Sequence, residues 1–175
     1  MEHSEPLFYD TLNSPFGPIL IAADANGLRR VIFLKGKRTV PQQAGWIREP
    51  GRLALAREQL EAYFAGRLKV FDLPLAPKGT AFQERVWTAL LGVPYGETAS
   101  YGEIAVAVDN PRACRAVGLA NGKNPIAIII PCHRIIGAGG HLTGYGSGLD
   151  IKAGLLELEG HRLVGGKKSI LANNL

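Results

Sequence analysis

Short apolar runs alternate with turn formers over the first third of the chain. Residues 7–12, 19–23 and 28–34 are mostly apolar. They are separated by Asn13-Ser14-Pro15-Phe16-Gly17-Pro18 and by Asp24-Ala25-Asn26-Gly27. This spacing predicts three β-strands joined by tight turns, and Asn26-Gly27 suits a hairpin. From residue 52 to 64 the period changes: Leu53, Leu55, Ala56, Leu60, Tyr63 and Phe64 follow a helical face, and Gly66 ends it. This portion holds no cysteine and no evident cluster of catalytic residue types, so it reads as a scaffold.

The Pro-rich segment 72–79 marks the boundary between a first domain, 1–76, and a second, 77–163. Beyond it the pattern is helical. Thr80 caps a helix carrying Phe82, Val86, Trp87, Leu90 and Leu91, with Gln83 placed for a capping box. Ser100 or Thr98 caps a helix over 101–108, and Asn110-Pro111 breaks the chain before another over 112–121. Two short helices about a tight break fit a helix-turn-helix. The run at 126–130 predicts a buried strand leading into Pro131-Cys132-His133-Arg134. A glycine-dense loop (137–148) and a last helix (152–159) follow, and residues 164–175 are expected to form a mobile tail.

Composition narrows the function classes. Hydrophobic residues make up 46% and charged residues 20%, ordinary for a globular domain. No apolar run approaches the roughly 18 residues of a membrane-spanning helix, and the first residues lack the blocks of a secretory signal. The cytoplasm is the expected compartment. Two cysteines, Cys114 and Cys132, with no Cys-x-x-Cys pair, exclude a disulfide framework and a zinc finger. A formal charge of +5 suits an anionic partner such as nucleic acid.

Cys132 follows an apolar run and a proline, so its thiol stands on restrained backbone, as a nucleophile requires. His133 is adjacent. In extended chain neighbouring side chains point apart, which makes a bridging water more plausible than direct contact. Glu159, at the end of the last helix, is the acid placed to orient His133. Arg115 lies on a helix of small residues, 112–122. That face can pack closely on a neighbour, or press Arg115, Ala116, Gly118, Ala120 and Asn121 into a DNA groove. The six glycines within 137–148 match no dinucleotide or phosphate fingerprint; they read as a flexible loop or as a lid over a flat ligand. Cys114 is assigned no role.

Taken together, these blocks resemble the O6-alkylguanine-DNA alkyltransferase family. The likeness runs through Phe82-Gln83-x-x-Val86-Trp87, Pro94-Tyr95-Gly96-Glu97-Thr98-x-Ser100-Tyr101, Arg115-Ala116-Val117-Gly118 and Asn124-Pro125. It continues through Ile130-Pro131-Cys132-His133-Arg134-Ile135-Ile136-Gly137, Gly144-Tyr145-Gly146-x-Gly148 and Leu155-Leu156-x-Leu158-Glu159. In the N-terminal half it lies mainly in layout.

The resemblance implies an α/β (α+β) architecture: an N-terminal RNase H-like α/β domain, then a winged-helix or helix-turn-helix catalytic domain that binds the DNA minor groove. It implies that Cys132 accepts the alkyl group from O6-alkylguanine, and from O4-alkylthymine, once per molecule. His133, a water and Glu159 would hold it as thiolate. Tyr101 would contact DNA and donate to the guanine ring, and Asn124 would brace the turn before the active-site segment. Arg115 would fill the stack left by the flipped base, and Pro131, Tyr145, Gly146 and Ser147 would line the pocket. Some relatives carry zinc ligands in the N-terminal half. With no cysteine there, no metal and no cofactor are expected. Some relatives have serine at the place of Gly146. The expected partner is double-stranded DNA carrying the lesion, with no membrane. The protein is expected to be a monomer in solution, with cooperative assembly on DNA left open. Two rivals remain: a non-catalytic helix-turn-helix protein that binds DNA or senses lesions, and a cysteine hydrolase.

Overall fold

The computed structural model describes residues 5–35, 40 and 44–171. Residues 1–4, which bear on the expected absence of a signal, and residues 172–175 of the expected tail lie outside them. The chain forms two compact units. The first runs to Lys78 and also takes in Pro125–Ala127; the second comprises Gly79–Asn124 and the chain from Ile128 onward.

In the first unit, β1 (Leu7–Ser14), β2 (Gly17–Asp24), β3 (Gly27–Phe33) and β4 (Trp46–Arg48) make one sheet in the order β3-β2-β1-β4. Neighbours are antiparallel except for the parallel β1–β4 pair. β2 is central, which explains its continuous apolar run: Ile19, Leu20, Ile21 and Ala22 are all fully buried. A 3₁₀ turn (Pro50–Leu53) leads into α1 (Ala54–Phe64), which buries Ala56, Leu60 and Tyr63. Asp10 of β1 is also fully buried. It accepts from Arg48 at 3.1 Å and from Arg57 of α1, so this charge is paired rather than stranded.

The Pro-rich boundary is more ordered than a linker. Leu28 donates to Pro74 O and Ala76 donates to Leu28 O, both at 2.8 Å, so the segment runs along β3. Gly27 is obligatory there. Its φ is +139°, and a Cβ would stand 2.6 Å from Pro74 O.

The second unit opens with α2 (Ala81–Leu90). Thr80 and Gln83 form the capping box that the sequence predicts. β5 (Ala99–Ser100) precedes α3 (Tyr101–Ala107), capped by Ser100 with Glu103 in a second box. α4 (Cys114–Gly122) starts two residues later than expected, because Asn110 O accepts from Ala113 N and holds 111–113 in a turn. The Trp87 indole of α2 donates to Ala120 O of α4 at 2.9 Å. β6 (Ile135–Ile136) pairs in parallel with β5, and α5 spans Leu149–Leu158. The expected loose tail is paired as far as residue 170: β7 (Leu163–Val164) and β8 (Ser169–Ile170) form an antiparallel hairpin whose Leu163 and Ile170 pack on a small apolar cluster. Among the described residues, no helix is long and apolar enough to cross a membrane.

Candidate active site

The expected strand at 126–130 is not formed. Ile126 alone bridges to Val31, and residues 127–129 turn, with Ile128 at φ +73°. A β-branched residue in the left-handed region is strained and persists only where the surroundings over-determine it. Here the surroundings do so. Asn124 Nδ2 donates to Ile130 O at 2.8 Å. Cys132 N–H donates to the same oxygen at 2.8 Å across Pro131 (φ −82°, ψ 62°), an inverse γ-turn. Five buried apolar residues therefore form a turn. Their run signals burial, and burial does not distinguish a strand from a packed turn.

Cys132 then opens a 3₁₀ turn, Cys132–Arg134, rather than an extended segment, and its carbonyl accepts from Asn121 Nδ2 at 3.4 Å. The turn buries three consecutive polar residues, Cys132, His133 and Arg134. The partner of His133 and Arg134 is Glu159, the C-cap of α5. His133 Nε2 donates to Glu159 Oε1 at 2.8 Å. Arg134 grips both carboxylate oxygens, Nε to Oε2 at 2.9 Å and Nη2 to Oε1 at 2.9 Å, while its Nη1 donates to Val93 O at 2.7 Å. Such bidentate charge-assisted pairs are strong and geometrically exacting.

Lys152, two turns before Glu159 on the same face of α5, is fully buried. Its Nζ donates to Ile135 O and, at 2.9 Å, to Thr143 O. Sequence reasoning gave no role to Arg134 or Lys152. A signal for Lys152 existed: positions 152, 155, 156 and 159 share one face of a helix, so a lysine stands in line with Leu155, Leu156 and Glu159.

The electrostatics follow from these contacts. Burial would raise the Glu159 carboxyl, but His133 and Arg134 hold it far below the usual carboxylate range. Burial lowers His133, outweighing Glu159, which raises it, so the imidazole is neutral at pH 7. With Nε2–H spent on Glu159, Nδ1 keeps its lone pair, and among the described residues it has no hydrogen-bond partner. Burial also pushes the Cys132 thiol up. Asn124, Lys152 and Tyr145 pull it back, and the net shift is upward. Lys152 is brought down to about 8 by burial, against the pull of Cys132. The resting site thus holds a thiol beside a neutral base, with one positive charge in excess (Arg134 and Lys152 against Glu159). That excess favours a thiolate once a proton leaves.

The remaining expected residues separate into those at this site and those elsewhere. Tyr101, the first residue of α3, donates to Thr143 O at 3.3 Å and accepts from Thr143 Oγ1 at 3.2 Å; its ring lies against Gly118. Tyr145 is half-buried at the cysteine, Ser147 is half-buried, Pro131 is buried, and Gly146 is exposed. On α4, Arg115 and Ala116 are exposed and Gly118 is half-buried. Ala120 and Asn121 require correction. Both are buried, Ala120 O is taken by Trp87 and Asn121 serves Cys132 O, so they face the interior and not a groove. The helical period places 117, 120 and 121 on the packed side. Among the described residues, no three His, Cys, Asp or Glu side chains gather as metal ligands would.

Comparison with known proteins bears directly on this geometry. The family model for the 6-O-methylguanine DNA methyltransferase DNA-binding domain matches residues 81–161, and that for its ribonuclease-like domain matches residues 7–77. A methylated-DNA–protein-cysteine methyltransferase of Methanosarcina acetivorans is 58% identical over 154 residues, 88% of this chain and 99% of that protein. The crystal structure of Mycobacterium tuberculosis O6-methylguanine methyltransferase superposes with a TM-score of 0.81 at 54% identity, covering 87% of this chain and 92% of that one. A crystal structure of the M. tuberculosis protein in complex with DNA gives 0.81 at 53% identity over the same shares. Both domains and the buried cysteine site lead to one assignment: the chain belongs to the O6-methylguanine DNA methyltransferase family, the methylated-DNA–protein-cysteine methyltransferases.

Proposed function

We propose that this protein repairs DNA by direct reversal, moving an alkyl group from O6 of guanine, or O4 of thymine, onto Cys132 once per molecule. A guanine O6 lies inside the paired duplex, so the damaged nucleotide must leave the stack to meet a buried thiol. In this reading the exposed face of α4 enters the minor groove. Ala116 and Gly118 allow close approach, and Arg115 occupies the vacated place in the stack. The protein acts as a monomer that meets double-stranded DNA.

The chemistry runs from thiol to thioether. The Cys132 proton passes through a bridging water to His133 Nδ1, and Glu159 stabilises the imidazolium that forms. The thiolate, favoured by Lys152, attacks the saturated carbon on O6. The S–C bond forms, the C–O6 bond breaks, and its electron pair goes to the guanine. Tyr101 leaves its long bond to Thr143 O and donates to the base as that charge develops. Nothing in the site can hydrolyse a thioether, which accounts for single use.

The observation that carries this reading is the buried Glu159–His133 pair beside Cys132, held in a domain whose 53%-identical relative has been solved on DNA. The test is intact mass after mixing with a duplex containing O6-methylguanine, followed by peptide mapping. A gain of one methyl group on Cys132 is expected, with none in Cys132→Ser, which should still bind the duplex. A methyl group on Cys114, or no gain despite tight binding to the lesion, would overturn the assignment; the latter would leave a lesion sensor.

A further inference from the structure

The β7–β8 hairpin lies beyond the stretch matched by the DNA-binding domain model, which ends at residue 161. Its turn is tight: Gly165, Gly166 and Lys167 all have positive φ, and Lys168 N–H donates to Val164 O at 3.1 Å. What it touches is the start of the glycine-rich loop. Leu142 N–H donates to Lys168 O at 2.8 Å, His141 bridges to Ser169, and Ser169 Oγ shares a hydrogen bond of 2.9 Å with His141 Nδ1. Gly140, at φ +88°, approaches so closely that a Cβ would stand 3.2 Å from Ile170 O. Below these bonds, Leu163 and Ile170 pack on Ile136, Leu142 and Leu156. Lys167 also pairs with Glu157 of α5 at 2.9 Å.

The next residue in the loop is Thr143. Its carbonyl accepts both from Lys152 Nζ, at 2.9 Å, and from the Tyr101 hydroxyl, at 3.3 Å, and Tyr145 at the cysteine follows two residues later. The loop's own composition cannot fix that carbonyl: Gly137, Gly139, Gly140, Gly144, Gly146 and Gly148 leave the backbone free to take many conformations.

We infer that the β7–β8 hairpin is a positioning element for the reaction. It splints the loop at 140–142 and so sets the Thr143 carbonyl on which Lys152 and Tyr101 converge. The part concerning rate rests on alkyl transfer by Cys132; the part concerning loop order does not. Basic residues on the hairpin, Arg162, Lys167 and Lys168, raise a competing use as a DNA contact, which the test separates.

The test uses the full chain with Ile170→Asp, which places a charge in the apolar seat, and Ser169→Ala, which deletes only the bond to His141. Three quantities are measured: amide hydrogen exchange, single-turnover transfer from free O6-benzylguanine and from a duplex carrying O6-methylguanine, and affinity for unmodified duplex. For Ile170→Asp, exchange at residues 141–145 should quicken about tenfold while α2–α4 keep their protection. Transfer from both substrates should fall by a common factor of about tenfold, as for a reacting group misplaced by a fraction of an ångström. Duplex affinity should not change. Ser169→Ala should move the same quantities about twofold in the same direction, and it decides the matter if Ile170→Asp also opens α2–α4. Unchanged loop exchange in both variants would overturn the inference. A loss confined to the duplex, with weakened affinity, would also overturn it and make the hairpin a DNA contact. Faster loop exchange in a protein whose wild type transfers nothing would leave the splint standing and remove the transferase reading.

Discussion

Substituting Glu159→Gln tests the stability and the chemistry of the site together. Glu159 receives three charge-assisted or imidazole bonds of 2.8–2.9 Å from His133 and Arg134, and the side chains of Glu159 and His133 are fully buried. A glutamine can still accept from His133, but it leaves the Arg134 guanidinium uncompensated inside the protein. Breaking a buried pair in this way costs about 3–5 kcal/mol. At 2–4 °C per kcal/mol for a chain of this size, melting should fall by roughly 6–20 °C. Glu159 ionises far below its unfolded value of 4.5. Its contribution is therefore full above that pH and is lost as pH falls through the lower folded value, so wild type and variant should converge only below about 4.5. The double variant Glu159→Gln/Arg134→Met, which removes both charges, should regain part of the loss. In single-turnover transfer at pH 7 and a temperature where the variant is folded, the imidazolium formed from neutral His133 loses its counter-charge. The rate should drop by about a hundredfold, the lower range for general-base assistance, and recover as pH approaches the thiol's own pKa. A melting loss under about 1 kcal/mol would refute the buried-charge account. An unchanged rate at pH 7 would remove Glu159 from the mechanism.

Other substitutions address the remaining groups. Arg115→Ala should slow transfer about 30-fold on a lesion in well-paired duplex, as the loss of about 2 kcal/mol of help in opening the stack implies. It should slow transfer less on a mismatched duplex and least on free base, and Arg115→Lys should restore little; losses restored by Lys and erased by salt would mean a phosphate contact. Lys152→Met should lower transfer by about a hundredfold, as for loss of one fixed donor. Because the Lys152 ammonium titrates at about 8, wild-type transfer should decline above that pH and the variant should lack that decline; a shared falling limb would assign the titration elsewhere.

Much of this molecule is legible in its sequence because local chemistry determines it. Thr80 with Gln83 specifies the start of α2 through side chain-to-backbone bonds that span three residues. The apolar run of β2 announces a strand, and Asn26-Gly27 the hairpin to β3, whose turn is Ala25-Asn26. The block Pro131-Cys132-His133-Arg134 with Glu159 at a helix end resembles one family, the family to which the chain belongs, and His133 and Glu159 do meet at 2.8 Å. Tertiary structure decided what depends on partners distant along the chain. The run 126–130 became a turn because Asn124 braces Ile130 O and Ile128 is held at positive φ, and no apolar period encodes that. Arg134, given no role from the sequence, turns out to share Glu159 with His133; burial, aided by repulsion from Arg134 and Lys152, outweighs Glu159 and leaves the imidazole neutral. Ala120 and Asn121 fell inward because α4 packs against the Trp87 indole and the Cys132 carbonyl. The expected tail became a hairpin because Leu163 and Ile170 find an apolar seat that exists only once Ile136, Leu142 and Leu156 have been brought together. Residue types and near-neighbour spacing nominate candidate groups, and only packing determines their protonation and their alignment.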